Sequence, residues 1–190
     1  MPKTLKLFGE RIAVKQAKEE TESTIEIVAE SYTKMGEVFA IADGKYNDGT
    51  QKTMYVNVGD TILHSALPTN TSFEFEGEKI NIFHQSDAYA KVSGKRVTIE
   101  DFTILGDWVL LSSEVKQKGE IVVPEKYAPL DEVMFYLEQK GDGCHTLEGV
   151  EKGTQVYPEV GKLFPIFVGG LPYFYTLGHF INGASVESIA

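Results

Sequence analysis

The side chains best suited to chemistry gather in "GDGCHTLEG", Gly141 to Gly149, which groups Asp142, Cys144, His145 and Glu148. A thiol, an imidazole and two carboxylates can ligate a metal or share a proton. The spacing argues against both uses. Cys144 and His145 are adjacent, so an extended segment points them to opposite sides. Cys144 has no second Cys or His three or four positions away, the spacing that a metal site on one turn or helix face needs. The other histidines, His64, His84 and His179, are scattered, and no P-loop, G-x-G-x-x-G or G-x-S-x-G motif occurs. The cluster reads as a polar hairpin tip. The expectation is a protein that is not an enzyme, with no catalytic residues, no metal site and no cofactor of its own.

A different chemistry, apolar docking, is offered by two triplets set among polar residues. Ile27, Val28 and Ala29 lie in "TIEIVAES", Thr24 to Ser31, and Ile121, Val122 and Val123 lie in "KGEIVVPEK", Lys118 to Lys126. Burying such side chains on a partner contributes about 1.5–3 kcal/mol each when burial is complete. Ile25 is a further candidate contact. Pro124 lacks an N–H and limits strand pairing immediately after the second triplet. The plain alternative is a half-buried strand, because Ile25 and Ile27 alternate with Glu26. Repetition of the triplet favours docking by at least one copy.

Composition narrows the partners. The chain has 190 residues, 42% hydrophobic and 24% charged, enough for one large or two small globular domains. A net charge of −10 repels phosphate backbones and anionic bilayers, so neither nucleic acid nor membrane is expected as a partner. One cysteine forbids an intrachain disulfide, and "MPKTLKLFGE" has no signal-peptide core, so a cytoplasmic location is the expectation. The uncharged stretch Leu163 to Ile181 has the length of a membrane span, but Pro165, Pro172, Gly169, Gly170 and Gly178 would leave backbone groups unpaired in lipid. It is expected to form strand, turn, strand, with Gly169-Gly170 in the turn.

The elements that must position the triplets are strands. Arg11 to Lys15, Met54 to Leu63, Ser72 to Phe83 and Gly106 to Ser112 alternate apolar and polar residues between turn formers. Asn47, Asp48 and Gly49 form a hairpin signal, and Asp-Gly suits the positive φ angles of a type I′ turn. "QAKEETES", Gln16 to Ser23, has no apolar stripe and reads as a solvated loop. The chain also repeats itself in order. "LFGERIAV" matches "ILGDWVLL", "IVA" matches "IVV", "GEVFAIADG" matches "DEVMFYLEQKG", and "VNVGDTIL" matches "YPEVGKLF", each pair separated by about half the chain. The halves are expected to join near "VSGKR", Val92 to Arg96.

Each half resembles the GroES-type co-chaperonin family. In the first half "GERIAVK", "GEVFAIADG", "NDG", "VNVGD" and "HQSDAYAKV" occur in the family's order and spacing. The second half departs more: Trp108 stands for Arg11, Asp131 for Gly36 and Lys162 for Asp60. The resemblance implies an all-β fold of two tandem GroES-like β-barrel domains, 1–93 and 97–190. It implies chaperonin-binding mobile loops with contacts at Ile25, Ile27, Val28, Ala29, Ile121, Val122 and Val123, and a roof hairpin at Asn47, Asp48 and Gly49. The partner would be a GroEL-type chaperonin that binds and hydrolyses ATP, with an unfolded client enclosed beneath a homo-oligomeric ring. Since bacterial-type rings offer seven docking sites, two arrangements stand open. Two-domain chains in one tier give an even number of loops; seven chains docking by one domain each leave the other as an added layer. The rival reading is a structural or assembly protein, such as a virion component, that reuses the duplicated fold without binding a chaperonin.

Overall fold

The computed structural model describes residues 5–16, 33–65, 71–93, 98–115 and 133–185. Thirteen strands form among the described residues: β1 Arg11–Gln16, β2 Thr33–Ile41, β3 Thr61–Ser65, β4 Thr71–Phe75, β5 Glu78–His84, β6 Ala88–Val92, β7 Phe102–Ile104, β8 Trp108–Val115, β9 Val133–Lys140, β10 Gln155–Pro158, β11 Phe164–Val168, β12 Leu171–Leu177 and β13 Ile181–Ala184. The protein is all-β. Its seven-stranded sheet runs β4-β5-β1-β2-β3-β6-β7 and its six-stranded sheet β11-β12-β8-β9-β10-β13. Without β7, the two orders are the same.

The likeness extends to irregularities that strand order alone does not require. A bulge interrupts β1–β2 between Ala13 and Val14, and another interrupts β8–β9 between Leu110 and Leu111. A 3-10 turn at Gln85–Asp87 links β5 to β6, and one at Gly178–Phe180 links β12 to β13. The Gln85 amide donates to the Glu10 carbonyl at 2.9 Å, and the Gly178 amide to the Asp107 carbonyl at 2.8 Å.

Alternation explains the packing. Ile12 and Val14 of β1 point to one face, with Val38, Val56, Ile62, Phe83 and Ala88, while Ala13 points to the other, with Leu7 and Ile80. In the second sheet Val109 and Leu111 pack with Phe135, Leu137, Cys144, Leu147, Val156 and Ile181. A third cluster bridges the halves: Leu63, Tyr89 and Ala90 meet Phe102, Ile104, Trp108, Leu110, Ile166, Val168 and Tyr175. The stretch Leu163 to Ile181 is β11, a Gly169-Gly170 turn and β12, as its sequence pattern predicts. Among the described residues no helix is long and apolar enough to cross a membrane.

Three local expectations are corrected. Met54–Asp60 is not part of a strand; the ladder starts at Thr61, after a turn in which Gly59 takes φ 91°. The hairpin at Asn47, Asp48 and Gly49 is not type I′, because Gly49, φ 87°, is its one residue with positive φ. Instead the Gly49 amide bonds the Tyr46 carbonyl and the Tyr46 amide bonds Thr50, both at 3.0 Å, giving a three-residue loop that closes on a left-handed glycine. The two-residue hairpin is at Glu76-Gly77, with φ 52° and 82°, matching Gly169-Gly170 at 59° and 81°.

The third correction concerns how the halves correspond. "VGK", Val160–Lys162, follows β10 and leads into β11, so it is not the counterpart of the "VGD" that leads into β3. The counterpart is "EKGT". Gly59 donates to the Val38 carbonyl at 2.8 Å and Val38 to the Asp60 carbonyl at 2.8 Å; Gly153 donates to Leu137 at 2.7 Å and Leu137 to Thr154 at 2.9 Å. The shared need is the left-handed glycine, and the flanking letters are free to differ. The same register sets Phe135, not Asp131, opposite Gly36, because Val14 pairs Val38 where Leu111 pairs Leu137.

Candidate functional site

In sequence, the two apolar triplets lie between the strands of equivalent pairs, β1 and β2 in one sheet and β8 and β9 in the other. The chain leaves β1 at Gln16 and returns at the start of β2, with Gln16 opposite Gly36 and Lys15 opposite Glu37. It leaves β8 at Val115 and returns at Val133, its direct partner in the ladder. The connections are residues 17–32 and 116–132. All seven proposed docking residues, Ile25, Ile27, Val28, Ala29, Ile121, Val122 and Val123, fall in them, outside the described residues. In the sequence, Ile121, Val122 and Val123 fall near the middle of residues 116–132, whereas Ile27, Val28 and Ala29 fall nearer the β2 end of residues 17–32.

The strands at each base are firmly held. Val14 and Val38 are fully buried, and Lys15 Nζ lies 4.7 Å from the centre of the Phe39 ring. In the second sheet Leu111, Phe135 and Leu137 are buried beneath the base. Each connection therefore springs from a rigid strand pair.

The hairpin of Asn47, Asp48 and Gly49, expected from the resemblance to be a roof hairpin, lies at the other end of β1 and β2. Asn47, Asp48 and Gly49 are exposed, Lys45 bridges Gln51, and the Asp48 carboxylate accepts from the Thr50 amide at 2.9 Å. That backbone bond holds the Asp48 carboxyl below its usual range. Tyr46 ties the hairpin to β1 by donating its hydroxyl to Glu10 Oε1 at 2.8 Å. Gln85 donates to Glu10 Oε2 at 2.8 Å and to the Thr53 carbonyl at 2.9 Å, and its Oε1 accepts from the Tyr55 amide at 2.9 Å. Burial opposes ionisation of Glu10, but the bonds from Gln85 and Tyr46, with His84 and Lys52 nearby, outweigh it and hold its pKa low. The sequence pattern gave no hint of this knot, because its members lie far apart in the chain.

A cleft of about 190 Å³ lies beside it, lined from both halves by Glu10, Tyr55, Gln85, Leu105, Asp107 and Trp108. Its polar atoms are largely engaged by the protein itself. Both Glu10 oxygens are taken, and Trp108 Nε1 donates to the Ser86 carbonyl at 2.8 Å. The cleft reads as a seam between the halves.

The "GDGCHTLEG" cluster is dispersed. Cys144 is buried against Gly178, and burial raises its thiol pKa. Leu147 is buried beside it, whereas Asp142, His145 and Glu148 are exposed. The segment is thus more than a polar tip: two of its side chains complete the second core. Lys140 Nζ holds it by donating to the Leu147 and Val150 carbonyls at 2.6 and 2.8 Å. Among the described residues no group of three or more His, Cys, Asp or Glu is placed to hold a metal.

Comparison with known proteins agrees with the first sheet. Residues 4–92 match the family described as the chaperonin 10 Kd subunit. The co-chaperonin GroES of Lactobacillus acidophilus is 35% identical over 91 residues, which are 45% of this chain and 96% of that protein. The co-chaperonin GroES of Clostridium botulinum is 34% identical over 91 residues, 46% of this chain and 95% of its own length. The family match closes at Val92, the last residue of β6. A near-complete GroES-type unit thus lies within the chain, and the protein belongs to the chaperonin-10 family of GroES-like co-chaperonins.

Proposed function

We propose that the chain is a tandem co-chaperonin that caps a GroEL-type chaperonin and assists ATP-dependent folding of an enclosed, unfolded client. The observation that carries this is the shared placement of the triplets. Both sit in the connection between equivalent strands of two sheets that share one order apart from β7, and the family match covers the other six strands of the first sheet. The two halves, 1–93 and 97–190, are GroES-type repeats from a duplication; the matching bulges, turns and hydrogen bonds support that origin. Ile25, Ile27, Val28 and Ala29 form one docking element and Ile121, Val122 and Val123 the other.

The energetics suit a cap that must be released. A flexible segment loses part of its burial energy to ordering, so each docking is weak. A homo-oligomeric ring of such segments binds firmly through multivalency. ATP is bound and hydrolysed by the chaperonin, and this chain acts without catalysis or a cofactor. The net charge of −10 suits a cytoplasmic protein that avoids nucleic acid and membrane surfaces.

Co-elution with a GroEL-type chaperonin, with and without ATP, tests the reading. Nucleotide-dependent co-elution is expected. Absence of co-elution with the source organism's own chaperonin would favour an assembly protein that kept the fold without the docking.

A further inference from the structure

The ladder between β2 and β3 ends where residues 17–32 rejoin the sheet. Its last pairs are Thr33–Ser65 and Lys34–His64, followed inward by Met35–Leu63. The other ladder of β3, with β6, shifts register between Leu63 and His64. Both ladders are therefore weakest at the same two residues, and Leu63, fully buried between the halves, marks where firm packing resumes.

A histidine is enclosed at this weak end. His64 is 2% exposed, and its imidazole stacks on Phe83 with ring centroids 4.6 Å apart. Nδ1 lies 2.8 Å from the Ser65 carbonyl, so it carries the proton of the neutral imidazole and leaves Nε2 as a bare acceptor. Nε2 is buried and has no hydrogen-bond partner. The surroundings do not accommodate a second proton. β2 sets Lys34 directly opposite, β6 sets Ala88 opposite, and β5 supplies Phe83. The titratable residues beside these are engaged elsewhere: His84 with Ser86, Asp87 with the field of Tyr89, and Tyr89 against Trp108. Among the described residues Lys34 is the charged group that acts on His64, and it adds to the effect of burial in depressing the imidazole pKa. The second half has no such group. Pro158 stands at the corresponding place, pairing Ile181 just after a register shift as His64 pairs Ala88, and proline does not titrate.

From this we infer that His64 is a proton-operated latch at the root of the first connection. When Nε2 takes up a proton, the imidazolium leaves the core for water, and the pairs Thr33–Ser65 and Lys34–His64 open with it. Leu63 stays in the join and stops the opening there. The second sheet does not respond. A proton thus lengthens the tether of one connection and leaves the other as it was. A longer tether costs more to order, so docking by the first triplet weakens in acid while docking by the second does not. That last step rests on the docking reading above; the latch itself does not.

Hydrogen exchange of the full chain, corrected for the intrinsic pH dependence of amide exchange, tests the latch. An opened histidine titrates near pH 6.5, so exchange at Thr33, Lys34, His64 and Ser65 should rise about ten- to thirtyfold relative to Ile62 and Leu63 between pH 7.5 and 5. His64→Phe, which fills the space, and His64→Gln, which stays polar without titrating, should each remove the rise, whereas His84→Asn should keep it. No rise in the parent chain, or a rise that persists in both His64 variants, would overturn the latch. Docking is read separately in a chain carrying Ile121→Asp/Val122→Asp. Its loss of chaperonin binding in acid should shrink when His64→Phe is added. An exchange response without that rescue would uphold the latch and count against docking by the first triplet.

Discussion

At the residue scale, two buried polar side chains make contacts that the surrounding sequence does not announce. Gln85 is 2% exposed and satisfies Glu10, Thr53 and Tyr55 at once. Gln85→Leu would leave a carboxylate oxygen, a carbonyl and an amide without this partner. It should lower unfolding free energy by about 1–3 kcal/mol in urea titration. His64 is a second such residue: it is 2% exposed, stacks on Phe83 at 4.6 Å, and uses Nδ1 on the Ser65 carbonyl while Nε2 has no partner. Burial depresses its pKa below the usual value near 6.5. The unfolded chain therefore takes up a proton first as pH falls. Stability from this site is complete above about pH 6.5 and is lost as pH falls from there through the lowered folded value. His64→Phe should flatten that slope in urea midpoints measured between pH 7.5 and 5. Neither residue was legible in the sequence, since nothing local marks His64 as buried or Gln85 as a hub.

At the element scale, strands and glycine turns were the legible part. Alternation located β1 and β8 but ran β4 and β5 together as one strand from Ser72 to Phe83, whereas Gly169-Gly170 announced its turn through two residues free to take positive φ. The turn at Glu76-Gly77 was hidden because glutamate is an unusual occupant of φ 52°. Glu76→Asn should stabilise the protein by a few tenths to about 1 kcal/mol, seen as a higher melting temperature, because asparagine accepts that conformation more readily. Gly36 carries the opposite prediction. A Cβ there would collide with Val14 Cγ1 and the Lys15 carbonyl beside the β1–β2 bulge. Gly36→Val should cost about 1–3 kcal/mol, again by urea titration. In aligning the two sheets, "VG" misled because only the turn glycine is constrained there. The hydrogen bonds of Gly59 and Gly153 supply the register that letters could not.

At the scale of the whole molecule, the sequence pattern conveyed the all-β class, but not the join between the two sheets. That join depends on β7, three residues long, and on Leu105 inserting into the first core. A strand so short carries too little alternation to be read. The apolar content of β11 and β12, which the sequence made conspicuous, is explained by this packing: Ile166, Val168 and Tyr175 are the surface that the first half covers. The proposed docking belongs to this scale too, since a triplet would serve only where a rigid strand pair presents it and a ring multiplies it. The most direct test compares ATP-dependent chaperonin binding by the parent chain with that of Ile27→Asp/Val28→Asp and Ile121→Asp/Val122→Asp, alone and combined, using light scattering to confirm equal assembly. The account predicts at least a tenfold loss of binding when both triplets are changed, with the oligomer intact. Undiminished binding by the combined variant would contradict it.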